Sequence, residues 1–198
     1  MAVFTPSYPL TLPTATGIKT QNWGLKRVVA MTQSPFTLQQ QVYQHSGEQW
    51  KTTMSLPPML KDNASIWLAF FMQLRGMRGT FKLGDQDRKT IQGTATGTVL
   101  VNGASQTGNQ VALDGFTASR ANVFKAGDYI QINSYLYMVT ENVTANGSGE
   151  ANVKIEPSLR QGIETINDNT TVIYLNTTTI MRLDSNEFNW DTDHVSKY

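Results

Sequence analysis

Two histidines, His45 and His194, are the side chains of this 198-residue sequence that ordinarily exchange protons near neutral pH. His45 falls in a predicted hairpin turn, His45-Ser46-Gly47-Glu48, and His194 in a polar C-terminal stretch. A Ser-His-Asp triad would therefore have to draw on an exposed loop or a chain end. No Gly-x-Ser-x-Gly elbow occurs. Glu48, Asp87, Asp128 and Glu187 are the residues that by type alone could form a glycosidase-like carboxylate pair, yet nothing in their local sequence predicts burial. The acidic pairs Asp85-Gln86-Asp87 and Asp191-Thr192-Asp193 do not continue into the glycine and terminal glutamate of a calcium loop and read as solvated turns. The glycines around Gly93, Gly97 and Gly103 lack the Lys-Ser/Thr ending and following helix of a phosphate-binding loop.

With no cysteine in the chain, disulfides, thiolate zinc sites and cysteine nucleophiles are excluded by counting. The reading is of a protein that is not an enzyme, with no catalytic, cofactor-binding or metal-binding residue assigned and no cofactor expected. Four aromatics on predicted strands, Trp50, Tyr135, Tyr137 and Trp190, offer an alternative chemistry, a stacking platform for sugar rings. Tyr135 and Tyr137 share a face at strand spacing. Packing against a sheet face is the stronger expectation for them.

Sixteen Lys and Arg against fifteen Asp and Glu leave a formal charge of +1, which generates no field to gather a polyanion or an acidic membrane. Nucleic-acid recognition is not expected. The longest strongly apolar run, Ser65 to Met72, is far short of the roughly 20 residues of a membrane-spanning helix, and no secretion signal is read at the N-terminus. Asn142, Asn169 and Asn176 each open a glycosylation triplet, which a chain rich in Asn and Thr produces by chance.

The elements that must position these residues are mostly strands. Residues 1–24 read as an extended arm with spaced aromatics, Phe4, Tyr8 and Trp23. Lys26–Thr32, Phe36–Tyr43 and Gln49–Leu56 are β-propensity runs, the last two forming a hairpin around His45 to Glu48. After Pro57-Pro58 one helix is predicted at about 62–75. Leu60, Ala64, Trp67, Phe71 and Leu74 line one face, Ile66 and Phe70 widen it, Asp62 or Asn63 caps it, Arg75 suits its C-terminal end and Gly76 stops it. Such an apolar face must pack across a sheet.

From residue 93 to 163 glycines are frequent. Runs at Gly97–Val101, Tyr129–Ile132, Tyr135–Val139 and Ala151–Ile155 are separated by turn signals at Asn133-Ser134 and Asn146-Gly147-Ser148-Gly149. This stretch reads as a small inserted β module. Thr171–Leu175, Thr179–Leu183 and Glu187–Asp191 should complete the sheet begun by residues 26–56. The expected fold is mainly β, a sandwich or barrel-like domain (25–92 plus 164–198) with one packed helix and the insert.

Ser34-Pro35-Phe36-Thr37, then Gln41-Val42-Tyr43, Gly47 and Trp50, then Ser55-Leu56-Pro57-Pro58-Met59, the helix and Gly79-Thr80-Phe81 follow an order that resembles distal tail and minor tail proteins of siphophages. Ala126-Gly127-Asp128-Tyr129-Ile130-Gln131-Ile132, Leu136-Tyr137 and Ile155-Glu156-Pro157-Ser158-Leu159-Arg160 are similar to a further segment of that family. The likeness runs from about residue 26 to 193. One departure is that relatives continue past a final tyrosine into another apolar strand, whereas this sequence stops at Tyr198. The resemblance implies a structural virion protein of the tail tip, assembled in the host cytoplasm. Copies form a ring, commonly of six, that joins the tail tube protein to the tip hub or baseplate proteins, without an active site. A carbohydrate-binding module at the virion tip is the alternative. Few charges on long strands and a near-neutral chain suit packing of identical copies.

Overall fold

The structure is a computed structural model that describes residues 5–160 and 165–191. In chain order its strands are β1 (Leu10–Thr11), β2 (Thr20–Gln33), β3 (Gln40–Ser55), β4 (Phe81–Leu83), β5 (Val99–Val101), β6 (Gln110–Asp114), β7 (Tyr129–Ile132), β8 (Tyr135–Val139), β9 (Ala151–Glu156), β10 (Thr171–Ile173) and β11 (Thr179–Met181). One α-helix, α1, spans Lys61–Leu74. Among the described residues the fold is mainly β with one α-helix, as the sequence predicts, and it contains a closed barrel. The chain divides into two compact units. The first is built from the chain up to Gly17, Leu56–Leu83 and the chain from Ile180; the second is built from Ile18–Ser55 and Gly84–Thr179.

In the first unit β4 pairs in parallel with β1, Leu10 opposite Phe81, and lies between β1 and β11 in a three-stranded sheet. The helix buries Trp67, Phe70, Phe71 and Leu74. Phe70 meets Phe81 edge to face at 5.8 Å, and Phe71 stacks on Phe188 at 4.4 Å. Each of these side chains contributes about 1.5–3 kcal/mol on leaving water. The predicted apolar face is narrower than expected, because Leu60 and Ile66 remain exposed. Neither Asp62 nor Asn63 caps the helix. It starts a residue or two earlier, with Leu60 at the N-cap and no side-chain cap, so Asp62 falls in the first turn, where its charge suits the helix dipole. The left-handed stop begins at Arg75 (φ 52°) and continues in Gly76 (φ 65°).

In the second unit β10-β5-β6-β9-β8-β7 close into a six-stranded barrel. Period-two alternation explains it: Val99 and Val101, Val111 and Leu113, Ile130 and Ile132, Tyr137 and Val139, Val153 and Ile155, and Val172 all enter one core. The stretch expected to be a small insert is thus the main barrel. It needs β10, which composition had assigned elsewhere: Val172 pairs with both Val99 and Ile132 and closes the ring. Closure leaves no unpaired barrel edge, so β10 does not extend the sheet of residues 26–56. Strand β11 joins the other unit's sheet instead, and Glu187–Asp191 is not a strand.

The same unit carries a long two-stranded ribbon, β2 against β3, Thr20 opposite Ser55 and Gln33 opposite Gln40. Three expectations change here. Residues 20–24, read as part of an extended arm, belong to β2. Tyr8 donates its hydroxyl to the Gln73 carbonyl at 2.7 Å and Trp23 packs edge-on against Trp50 at 6.0 Å, so these two aromatics anchor within their own chain; Phe4 lies outside the described residues. The turn is at Ser34–Gln39, not at His45 to Glu48. There Ser34 Oγ accepts the N–H groups of Phe36 and Thr37, Leu38 takes a left-handed φ of 57°, and β3 runs unbroken past Gly47. Gly47 marks a register shift between Arg27 and Val29. A Cβ there would lie 3.0 Å from Val28 Cγ2, so the glycine accommodates a bulge, not a hairpin.

Candidate functional site

The lower half of the ribbon is fastened to the barrel. Gln21 Nε2 donates to the Gly84 carbonyl at 3.2 Å, and Trp50 Nε1 donates to the Leu136 carbonyl at 2.8 Å. The Trp50 ring covers Tyr129 edge-on at 6.0 Å, with the Arg88 guanidinium 5.8 Å from the same phenol ring. Tyr129 points away from the barrel core yet is buried beneath these groups. Its hydroxyl is held above the usual phenol range, first by burial and then by the charge of Asp85, with Arg88 acting in the opposite sense.

Where the ribbon leaves the barrel, charged groups converge. Glu48 has a side chain only 5% exposed; Arg27 Nε is 3.1 Å from its Oε1, while Ser158 gives its N–H to Oε2 at 2.8 Å and its hydroxyl at 3.1 Å. Arg27 also reaches Glu156 at 2.7 Å. Arg160 donates to the Glu48 carbonyl, and its guanidinium lies 5.6 Å from the centre of the Tyr135 ring. Ser46, Gly47, Glu48, Tyr135, Pro157, Ser158, Leu159 and Arg160 line an open cleft of about 360 Å³.

Beyond the bulge the ribbon carries exposed apolar residues on both faces. Met31 stands opposite Val42 and Ala30 opposite Tyr43, so Val29, Met31 and Val42 mark one face and Tyr43 the other. All four of these large side chains are exposed, Tyr43 at 66%. At the tip Phe36 is 94% exposed and Leu38 68%. From Val28 to Gly47 the sequence contains no Asp, Glu, Lys or Arg. Edge strands left in water are normally protected by charges or prolines, and beyond the bulge this pair has neither along its strands. That uncharged run is legible in the sequence; its consequence is not, because the sequence puts the hairpin turn at its C-terminal end, His45 to Glu48, whereas the turn lies in its middle, at Ser34–Gln39.

The residues considered for chemistry are not assembled into one site. His45 packs edge-on against Tyr43 at 4.9 Å on the ribbon, and His194 lies outside the described residues. Glu48 and Asp128 are buried, contrary to the expectation from local sequence, but they serve separate networks. Asp128 accepts backbone N–H groups from Gln92 at 2.7 Å, Gly93 at 3.0 Å and Lys125 at 2.8 Å, tying two loops together. Asp87 and Glu187 are exposed, and Asp85 Oδ1 accepts the Asp87 N–H across a turn. Among the described residues no group of three or more His, Asp and Glu side chains is placed to hold a metal ion, and no helix is long and apolar enough to cross a membrane.

Tyr135 and Tyr137 share a face as predicted, and that face is the barrel interior. Tyr137 is 1% exposed and Tyr135 lies under Arg160, so they present no paired platform to a sugar. Trp50 is committed to Leu136, and Trp190 stacks on Phe188 at 5.9 Å. No protein-family model matches the chain, and no curated protein matches it.

Proposed function

We propose that this chain is a structural protein of a phage tail tip, a distal tail protein whose copies form a ring joining the tail tube to the tip hub or baseplate. The observation that carries the reading is the β2–β3 ribbon. It displays Val28, Val29, Met31, Phe36, Leu38, Val42 and Tyr43 on a segment without formal charge.

A two-stranded ribbon is marginal in water by itself. Each apolar side chain that it buries against a partner contributes about 1.5–3 kcal/mol when covered completely. Because the segment carries no formal charge, identical copies meet there without like-charge repulsion, which suits a homomeric ring. The resemblance of residues 26–193 to siphophage tail-tip proteins supplies the setting, at the distal end of the tail tube.

Immunogold labelling of virions of the phage that encodes this chain tests the reading. Gold is expected at the distal end of the tail, one cluster per particle. Label along the shaft, on the capsid or absent from virions would contradict it.

A further inference from the structure

We propose that the ribbon tip of one copy seats in the cleft at the ribbon base of the next, with Phe36 lying against Pro157 and the rim formed by Arg160 and Tyr135, so that copies join head to tail. This inference rests on the self-assembly reading and deepens it by naming the contact.

The tip is held in one shape before it meets anything. Ser34 N–H donates to the Gln39 carbonyl at 3.0 Å, Leu38 N–H donates to the Ser34 carbonyl at 3.0 Å, and Ser34 Oγ accepts from Phe36 and Thr37 at 3.4 and 3.3 Å. Four bonds within six residues fix the loop, while its two large apolar side chains point to water. Leu38 occupies the left-handed region, which L side chains rarely adopt. Presenting Phe36 on a fixed loop lowers the ordering entropy that a flexible anchor would lose on binding.

The cleft is suited to an uncharged occupant. Glu48 is already bound by Arg27 and Ser158, and Arg160 is already hydrogen-bonded to the Glu48 carbonyl. A charged ligand would have to displace these contacts, whereas an aromatic ring can lie beside Tyr135 and stack on the guanidinium plane. A volume of about 360 Å³ is at the small end of the range for ligand sites and accommodates a phenyl ring with a neighbouring leucyl side chain. The tip segment carries no formal charge that would be stripped of water on entry.

The tip cannot fill its own cleft. Gln40 to Ser46 is continuous strand, so roughly 20 Å of extended chain separates them at about 3.3 Å per residue. On the self-assembly reading the occupant is the tip of a second copy. A contact between two different surfaces of the same chain is heterologous, and when its rotation closes it generates a ring.

The native chain lacks cysteine, so a pair introduced at exposed positions, Thr37→Cys with Ser46→Cys, reports this contact without background. Oxidation of the full-length double variant is expected to give a ladder of cross-linked species extending beyond the dimer, and neither single variant should form it. Phe36→Ser, at a residue too exposed to contribute to the fold, is expected to raise the concentration needed for assembly about tenfold or more, with an unchanged melting curve. If native protein assembles while the double variant gives no product, or product ending at the dimer, and Phe36→Ser assembles normally, the tip-to-cleft contact is overturned and self-assembly through another surface stands. A native chain that stays monomeric overturns both.

Discussion

Arg27 Nε lies 3.1 Å from Glu48 Oε1, directly across the ribbon where it leaves the barrel, and the same guanidinium reaches Glu156 on β9 at 2.7 Å. One arginine thereby connects both ribbon strands to the barrel wall. Glu48 is the buried member and Arg27 is 41% exposed, so the carboxylate should matter more. Glu48→Ala is expected to cost about 2–3 kcal/mol, since it removes the ion pair with Arg27 and the two charge-assisted hydrogen bonds from Ser158. Arg27→Ala leaves Ser158 bonded to Glu48 and should cost less. Urea unfolding of the two variants gives the comparison; equal losses would show that the pair acts only through Arg27.

Trp50→Phe keeps a ring over Tyr129 but removes the 2.8 Å donor to the Leu136 carbonyl. A loss of about 1–2 kcal/mol is expected, because the carbonyl is left without this partner. Hydrogen exchange should show the lower ribbon, residues 20–27 and 48–55, opening more readily while the barrel core keeps its protection.

Asp128→Asn is expected to destabilise the second unit by about 1–3 kcal/mol. Three backbone N–H groups converge on two carboxylate oxygens. An amide offers one oxygen and turns a donor toward the remaining N–H groups, so at least one is orphaned. Thermal unfolding checks it, and an unchanged melting temperature would remove Asp128 as a tie between the loops.

Tyr129 sets an alkaline limit. Burial, then Asp85, holds its phenol above the ordinary value of 10.0, against a smaller lowering by Arg88. In the unfolded chain the phenol ionises near pH 10 while the folded protein keeps its proton. This contribution is complete below pH 10 and is lost as pH rises through the raised value. Tyr129→Phe should therefore lose less stability than the native chain between about pH 9 and 11. Parallel slopes in urea unfolding across that range would contradict the assignment.

The helix and five of the six barrel strands are legible because periodicity is local; the sixth, β6 at Gln110–Asp114, is not read from the sequence. Trp67, Phe71 and Leu74 recur at helical spacing, and Ile130 with Ile132 and Val153 with Ile155 alternate at strand spacing. What closes the barrel was not legible, because Val172 pairs with strands 73 and 40 residues away and nothing in Thr171–Ile173 names its partners. Gly47 misled for a physical reason: a glycine between polar residues suits a turn and a bulge equally, and only the pairing of Arg27 with Glu48 and of Val29 with Gln44 distinguishes them. Burial of Glu48 and Asp128 was also invisible, since their partners Ser158 and Gln92 are distant in sequence.

Light scattering on a sizing column, with electron-microscope images of the eluted peak, tests the central claim most directly. The account predicts a discrete multiple of the 22.0 kDa chain, seen end-on as a closed ring. A monodisperse 22.0 kDa species at high protein concentration would contradict it.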